Sequence, residues 1–272
     1  MTATAAIEIR PGLRARPRVA AVMFDFDGTI SLIRAGWVEV MLEGMRALCP
    51  PRPGEDAAAL DQALRHDIVR LAGRPTIDQM IVFAERLRAR GAAEPDPPAL
   101  KADFLRRLGE RCAERHAAIA RGARDAHLVP GADAAVAAFA ARGAQLWLAS
   151  GTDHDDVLRE AALLGVDRPF AGRIYGALRP PAVMTKAMVV ARMLAQGLPG
   201  EGIVAIGDGP VEMREIKAVG GLAIGIASDE DRPGSGRVDR AKRELLIAAG
   251  ADAIIADFRD LPALMSAITG AA

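Results

Sequence analysis

The chain has little cysteine, no excess of either charge and no long apolar run, and each lack removes a class of protein. Cys49 and Cys112 are its two cysteines. They match no metal-ligand spacing and are too few for a disulfide framework, so they read as small packed hydrophobes in a reducing cytoplasm. Lys+Arg number 35 and Asp+Glu 35, giving a formal net charge of +0. Nucleic-acid binders carry a basic excess, so no nucleic-acid partner is expected. No stretch approaches the ~20 apolar residues of a membrane span, so no membrane partner is expected either. Residues 1–17 contain Arg10, Arg14 and Arg16 but no serine and no signal-type apolar core. That segment reads as a loose N-terminal tail rather than a targeting peptide. What remains is a 272-residue chain, 51% hydrophobic, of ordinary globular composition. It can hold one large domain, or a core domain plus a smaller one. Its oligomeric state is not legible.

One stretch organises the rest. An apolar run from about Arg18 to Phe24 reads as a buried parallel strand, and it ends in Asp25-Phe26-Asp27-Gly28-Thr29. Alternate strand residues point the same way, so Asp25 and Asp27 can face one pocket. Like charges so close call for a cation between them or a proton on one. A hard divalent ion such as Mg²⁺ suits an all-oxygen site. Taken alone, Asp-x-Asp is read equally well as surface acids capping a strand.

From Ile33 to about Leu128 the pattern is helix after helix, interrupted at Pro50-Pro51-Arg52-Pro53-Gly54, at Ala72-Gly73-Arg74-Pro75-Thr76 and at Glu94-Pro95-Asp96-Pro97-Pro98. No strand candidate occurs there. After Val129-Pro130-Gly131 helices and strands alternate. Gln145–Ala149 is a strand running into Ser150-Gly151-Thr152, and a helix begins near Thr185-Lys186. Ile203–Ile206 is a strand running into Gly207-Asp208-Gly209-Pro210, with Glu212 on the helix that follows. Such alternation specifies an α/β fold, a doubly wound parallel sheet with helices on both faces. Ligands then lie beyond the C-terminal strand ends, where Asp25, Ser150 and Asp208 all stand. Three carboxylates, a lysine and a serine around one rim describe a site for Mg²⁺ and phosphate.

In order and in strand-end context, Asp25-Phe26-Asp27-Gly28-Thr29, Ser150, Lys186 and Gly207-Asp208-Gly209-Pro210-Val211-Glu212 resemble the motifs of the haloacid dehalogenase superfamily of phosphohydrolases. The resemblance runs from about Arg18 to Asp257. It implies a Rossmann-like core with an inserted all-helical cap, as in phosphoglycolate phosphatase and β-phosphoglucomutase. The tail is then 1–17, the catalytic core 18–32 and 129–272, and the cap 33–128. Asp25 is implied as the nucleophile that forms an aspartyl-phosphate and Asp27 as the general acid and base. Ser150 is implied as a phosphoryl-oxygen ligand, and Lys186 as the cation between Asp25 and phosphate. Mg²⁺ is implied on Asp25, the carbonyl of Asp27 and Asp208. Glu212 stands where the family often has Asp, so it is expected to act through water or by orienting Lys186. Thr29, Gly151 and Thr152 join the substrate-binding set.

The segment Ala72–Ile77 resembles the cap loop that reaches the substrate. Arg74 is thus a candidate for the substrate's far end, with Thr76 and Gln79 as helpers; a surface arginine in a turn is the equal alternative. Arg34 falls at the hinge, and His154 reads as a solvated first-turn histidine. The charged loop 228–236 borders the same rim and is given no chemistry. The expected activity is Mg²⁺-dependent hydrolysis of a small phosphorylated metabolite, a sugar or polyol phosphate. The rivals are a phosphomutase with the same residues and a non-catalytic phosphate-binding regulator. Dehalogenase chemistry has no use for a carboxylate at Asp27.

Overall fold

The computed structural model describes residues 7–72, 74–178, 184–229, 232 and 234–270. Its centre is a strand buried from end to end, β2 (Ala21–Phe24), preceded by the short β1 (Glu8–Ile9). Because side chains alternate across a strand, Val22 and Phe24 enter one core and Ala21 and Met23 the other. Phe24 meets Phe139 and Phe170 edge-on, with ring centroids 6.0 and 6.2 Å apart. On the opposite face Met23 joins Trp147, Met193, Ala205 and Met213. Burying each large apolar side chain contributes about 1.5–3 kcal/mol, which makes this strand a rigid base for whatever follows Phe24.

Four helices come next: α1 (Trp37–Leu48), α2 (Ala57–Arg70), α3 (Thr76–Ala89) and α4 (Pro97–Ala120). Asp56 and Asp96 cap α2 and α4 by accepting hydrogen bonds from backbone amides one turn on. After α4 the chain runs through α5 (Ala132–Ala141), β3 (Gln145–Asp153), α6 (His154–Leu163), β4 (Ile174–Ala177) and α7 (Lys186–Ala195). It closes with β5 (Ile203–Gly207), α8 (Pro210–Ala218), β6 (Leu222–Ile226), α9 (Arg240–Ala248), β7 (Ala253–Ile255) and α10 (Leu261–Thr269).

The sheet order is β1-β7-β6-β5-β2-β3-β4, and every pairing is parallel except β1 with β7. β2 therefore lies between β3 and β5, where the winding reverses. Crevices open at such a switch point beyond the C-terminal strand ends. The four helices α1–α4 are inserted at that edge, between Ser31 and Leu128, which form a bridge with each other. Among the described residues no helix is long and apolar enough to cross a membrane.

Three expectations need correction. The N-terminal segment is not wholly a loose tail: Glu8 and Ile9 pair with Ile254 and Ala253, and Arg243 Nη2 donates to Glu8 at 2.6 Å. A two-residue edge strand is too short to leave a periodic signal; residues 1–6 lie outside the described set. His154 is half-buried rather than fully solvated, and its Nδ1 accepts the Gly176 amide at 3.2 Å. A Cβ at Gly176 would fall 2.6 Å from the His154 Cα and from the Thr152 carbonyl oxygen, so the approach requires glycine. The first strand is also shorter than expected, starting at Ala21. Both cysteines are buried and free, and burial pushes the Cys112 thiol up to about 11.

Candidate active site

Asp25 continues the ladder of β2, its amide donating to the Ile206 carbonyl at 2.9 Å. Its carboxylate is buried, and Lys186 Nζ stands 2.7 Å from Oδ1. Lys186 is the first residue of α7 and is itself buried; Thr185 caps that helix, its side chain accepting from the Met188 amide. The same ammonium donates to Glu212 Oε2 at 2.7 Å, and Glu212 Oε1 accepts the Gly209 amide at 2.8 Å. Lys186 is thus clamped between two carboxylates. Burial works against its charge, but Asp25 and Glu212 outweigh that and hold its pKa above the usual lysine value. Asp25 is pushed well above the carboxylate range, first by burial and then by Glu212 and Asp208, against the pull of Lys186.

Two glycines make the crowding possible. Gly28, at φ 72°, lies so close to Asp208 that a Cβ would stand 2.2 Å from Oδ2, and a Cβ on Gly207 would stand 2.1 Å from Glu212 Oε1. Carboxylate oxygens of Asp25, Asp208 and Glu212 accordingly lie within 4.8 Å of one another. Lys242, on α9, donates to Asp208 Oδ2 at 2.9 Å. A hard divalent cation fits this donor set. Both Glu212 oxygens are already engaged, which leaves Asp25 and Asp208 as the carboxylates with capacity to spare.

Asp27 lines the same cavity. Its Oδ2 accepts from Thr152 Oγ1 at 2.7 Å and from Ser150 Oγ at 3.3 Å. Its Oδ1 is buried without a hydrogen-bond partner, and Arg34 Nε stands 3.9 Å away. Burial raises its pKa to about 6, with Glu160 adding to the rise and Arg34 and Thr152 opposing it. Arg34 in turn grips Glu160 through Nε and Nη2, at 3.1 and 2.9 Å. Ser150 Oγ also accepts the Thr152 amide at 3.0 Å, so the loop after β3 is folded around that hydroxyl.

A cavity of about 400 Å³ opens above these groups. Asp25, Asp27, Ser150, Gly151, Thr152 and Asp208 line its floor, and Arg74 and Thr76 line its roof. Lys186 and Glu212 lie beneath the floor, against Asp25. Thr29 is a correction. It is fully buried, it does not line the cavity, and its hydroxyl has no partner. The tight turn that returns the Thr29, Ile30 and Ser31 amides to the Phe26 carbonyl carries it behind the site. Thr76 is the first residue of α3 rather than its cap, which is Pro75. Gln79 lines the cavity with its amide spent on the Ile68 carbonyl at 3.1 Å. Gly73, within the expected cap loop, lies outside the described residues, as do 230, 231 and 233 of the charged rim loop.

Three participants were not assigned from sequence. Arg34 was placed only at the hinge, and its signal is a lone charge in the apolar stretch Ile30–Ala35. Along the chain nothing distinguishes Glu160 or Lys242 from the surface charges of amphipathic helices. Only the adjacency of β6 to β5 brings α9 to Asp208.

The family model for haloacid dehalogenase-like hydrolases matches residues 19–220, and the chain belongs to that family. No curated protein matches the sequence. Among solved structures, a predicted phosphoglycolate phosphatase from Haemophilus somnus superposes with a TM-score of 0.58 at 16% identity, covering 90% of this chain and 97% of that one. A β-phosphoglucomutase candidate from Thermotoga maritima gives 0.54 at 15% identity, covering 90% and 97%. A hydrolase of the family from Deinococcus radiodurans, with bound phosphate and sodium, gives 0.52 at 18%, covering 92% and 96%. These likenesses establish a shared fold.

Proposed function

We propose that the chain is a Mg²⁺-dependent phosphomonoesterase that acts on a small phosphorylated metabolite through an aspartyl-phosphate on Asp25. One observation carries this reading. A carboxylate clamped by a buried lysine faces the same cavity as a second carboxylate whose pKa is raised to about 6. The first group is held for attack, and the second is tuned to exchange a proton near neutrality.

Asp25 attacks phosphorus while the bond to the ester oxygen breaks, and Asp27 gives its proton to the departing alkoxide. Ser150, Gly151 and Thr152 hold the phosphoryl oxygens, and Lys186 balances charge between Asp25 and phosphate. Asp27, now ionised, takes a proton from water as that water attacks phosphorus, and Asp25 is restored as phosphate leaves. Asp25, Asp208 and the Asp27 carbonyl would hold Mg²⁺, which supplies charge neutralisation at the phosphoryl group when bound. Glu212 keeps Lys186 in place. Residues 33–128 act as the cap over a core of 18–32 and 129–272, and Arg74 takes the far end of the substrate. A phosphomutase would use the same groups and differ in the lifetime of the aspartyl-phosphate.

Phosphate release from an aryl and an alkyl phosphate, followed for wild type, Asp25→Asn and Asp27→Asn, tests the reading. Asp25→Asn is expected to fold and to release none. Asp27→Asn should lose about 10²–10⁴ in the first step on the alkyl ester and much less on the aryl ester, whose leaving group needs no proton. Turnover by folded Asp25→Asn, or equal first-step losses on both esters, would overturn the assignment.

A further inference from the structure

The roof and walls of the cavity are unlike a pocket for a polyhydroxylated molecule. Trp37, Val38, Val69, Phe104, Leu108 and Leu245 line it. They come from α1, α2 and α4 on the cap side and from α9 on the core side, so hydrocarbon surrounds the space above the phosphate groups. Phe104 and Leu108 are buried members of the large apolar cluster that also holds Phe24 and Phe139, which fixes their positions.

The polar side chains around this chamber are mostly committed to one another. Arg65 Nη2 lies 2.5 Å from Glu39 Oε1, and Arg34 is bound to Glu160 and Asp156. The Gln79 amide serves the Ile68 carbonyl, and Asp239 accepts the Lys242 backbone amide. A sugar buries several hydroxyls, each of which needs a partner on the wall, because an unpaired buried polar group costs about 1–3 kcal/mol. Among the described lining residues above the floor, Arg74, Thr76 and Ser228 have polar side chains with no partner, while Arg65 and Glu39 are paired with each other at the solvent side of the chamber.

Resting on the phosphatase reading above, we infer that the natural substrate is the phosphate monoester of a largely hydrocarbon alcohol. Its apolar body lies against Trp37, Phe104 and Leu108, and at most one polar end reaches Arg74 and Thr76. This departs from the sugar or polyol phosphate expected from sequence. A hydrocarbon body needs no hydrogen bonds from the wall and gains affinity with each methylene removed from water. A polyol gains nothing from these walls.

Binding of alkyl phosphonates, which cannot be hydrolysed, separates this inference from the reading it rests on. Methyl, butyl and hexyl phosphonate, with glycerol phosphate and glucose 6-phosphate as their non-hydrolysable methylene phosphonate analogues, are titrated into the Mg²⁺-loaded full chain. Calorimetry gives Kd, and the fluorescence of Trp37 at the cavity wall reports occupancy, since Trp147 is fully buried in the core. Affinity is expected to rise about fourfold per added methylene until the chamber is filled. Both polyol analogues should bind no tighter than methyl phosphonate. Val69→Thr keeps the side-chain shape while replacing one methyl with a hydroxyl, and it should flatten the alkyl series several-fold while leaving methyl phosphonate unchanged. A flat wild-type series with methyl phosphonate still bound, or tighter binding of either polyol analogue, overturns the hydrocarbon inference alone. Failure to bind any phosphonate overturns the phosphatase reading and the inference together.

Discussion

At the scale of single residues the site is built against its own stability. Asp27 has an ordinary value of 3.8 raised to about 6, so the folded state holds its proton more tightly than the unfolded state does. The stabilisation is fully present below pH 3.8 and is lost as pH rises through 6, a difference of up to about 3 kcal/mol. Asp27→Asn cannot ionise and can still accept from Thr152. In chelator it is expected to melt several degrees above wild type at pH 8, with the gap closing by pH 4. Thermal midpoints across that range check it; a gap that does not narrow would mean that burial is not what raises Asp27. What a single residue revealed in the sequence depended on its neighbours along the chain. Asp25 and Asp27 were legible because an apolar run stops at them, and Asp208 because another does. Thr29 was misread because its motif position says nothing about the turn at Phe26 that carries it behind the site.

At the scale of elements, charge pairs hold what strands cannot. Arg34 follows the turn after β2, and Glu160, 126 positions later, rises from α6 to meet it. Glu160 is fully buried, and its second partner is His116 Nε2 on α4, at 3.3 Å. Arg34→Leu strands that carboxylate, and such a loss typically costs about 3–5 kcal/mol. Arg34→Leu combined with Glu160→Leu removes the unpaired charge, so most of the penalty should return. Urea unfolding of the two single variants and the double variant measures the coupling; strictly additive losses would show that the two groups do not act as a pair. Helices and strands were legible because their apolar periods are local. The partner of Arg34 was not, since an acid on one amphipathic helix looks like any other until the sheet order places it.

At the scale of the whole molecule, α4 works as a strap over the joint between the helical segment and the sheet. Arg115 Nη1 donates to the Ile33 and Ala35 carbonyls at 2.6 and 2.9 Å, and Cys112 Sγ lies 3.3 Å from the Ile33 carbonyl. Near its other end Lys101 Nζ reaches Asp153 at 2.5 Å, at the end of β3. The insertion of a helical block after the first acidic strand was plain from composition. Its orientation over the strand ends was not, because these ties join residues 52 to 82 positions apart that carry no shared pattern.

The ammonium of Lys242 on Asp208 gives the acid cluster a lodger. Any divalent ion arriving there competes with a charge the protein already supplies, so loading becomes an exchange rather than the filling of a repulsive void. Mg²⁺ should therefore raise the wild-type thermal midpoint only slightly over chelator. In Lys242→Met the empty state loses the counter-charge on Asp208 and keeps only Lys186 on Asp25 and Glu212, and the increment from Mg²⁺ should grow by several degrees. Thermal scans of both proteins with Mg²⁺ and with chelator decide it: equal increments would mean that Lys242 is a bystander, and a larger one in the variant would show that its ammonium holds the place a divalent cation would take beside Asp208.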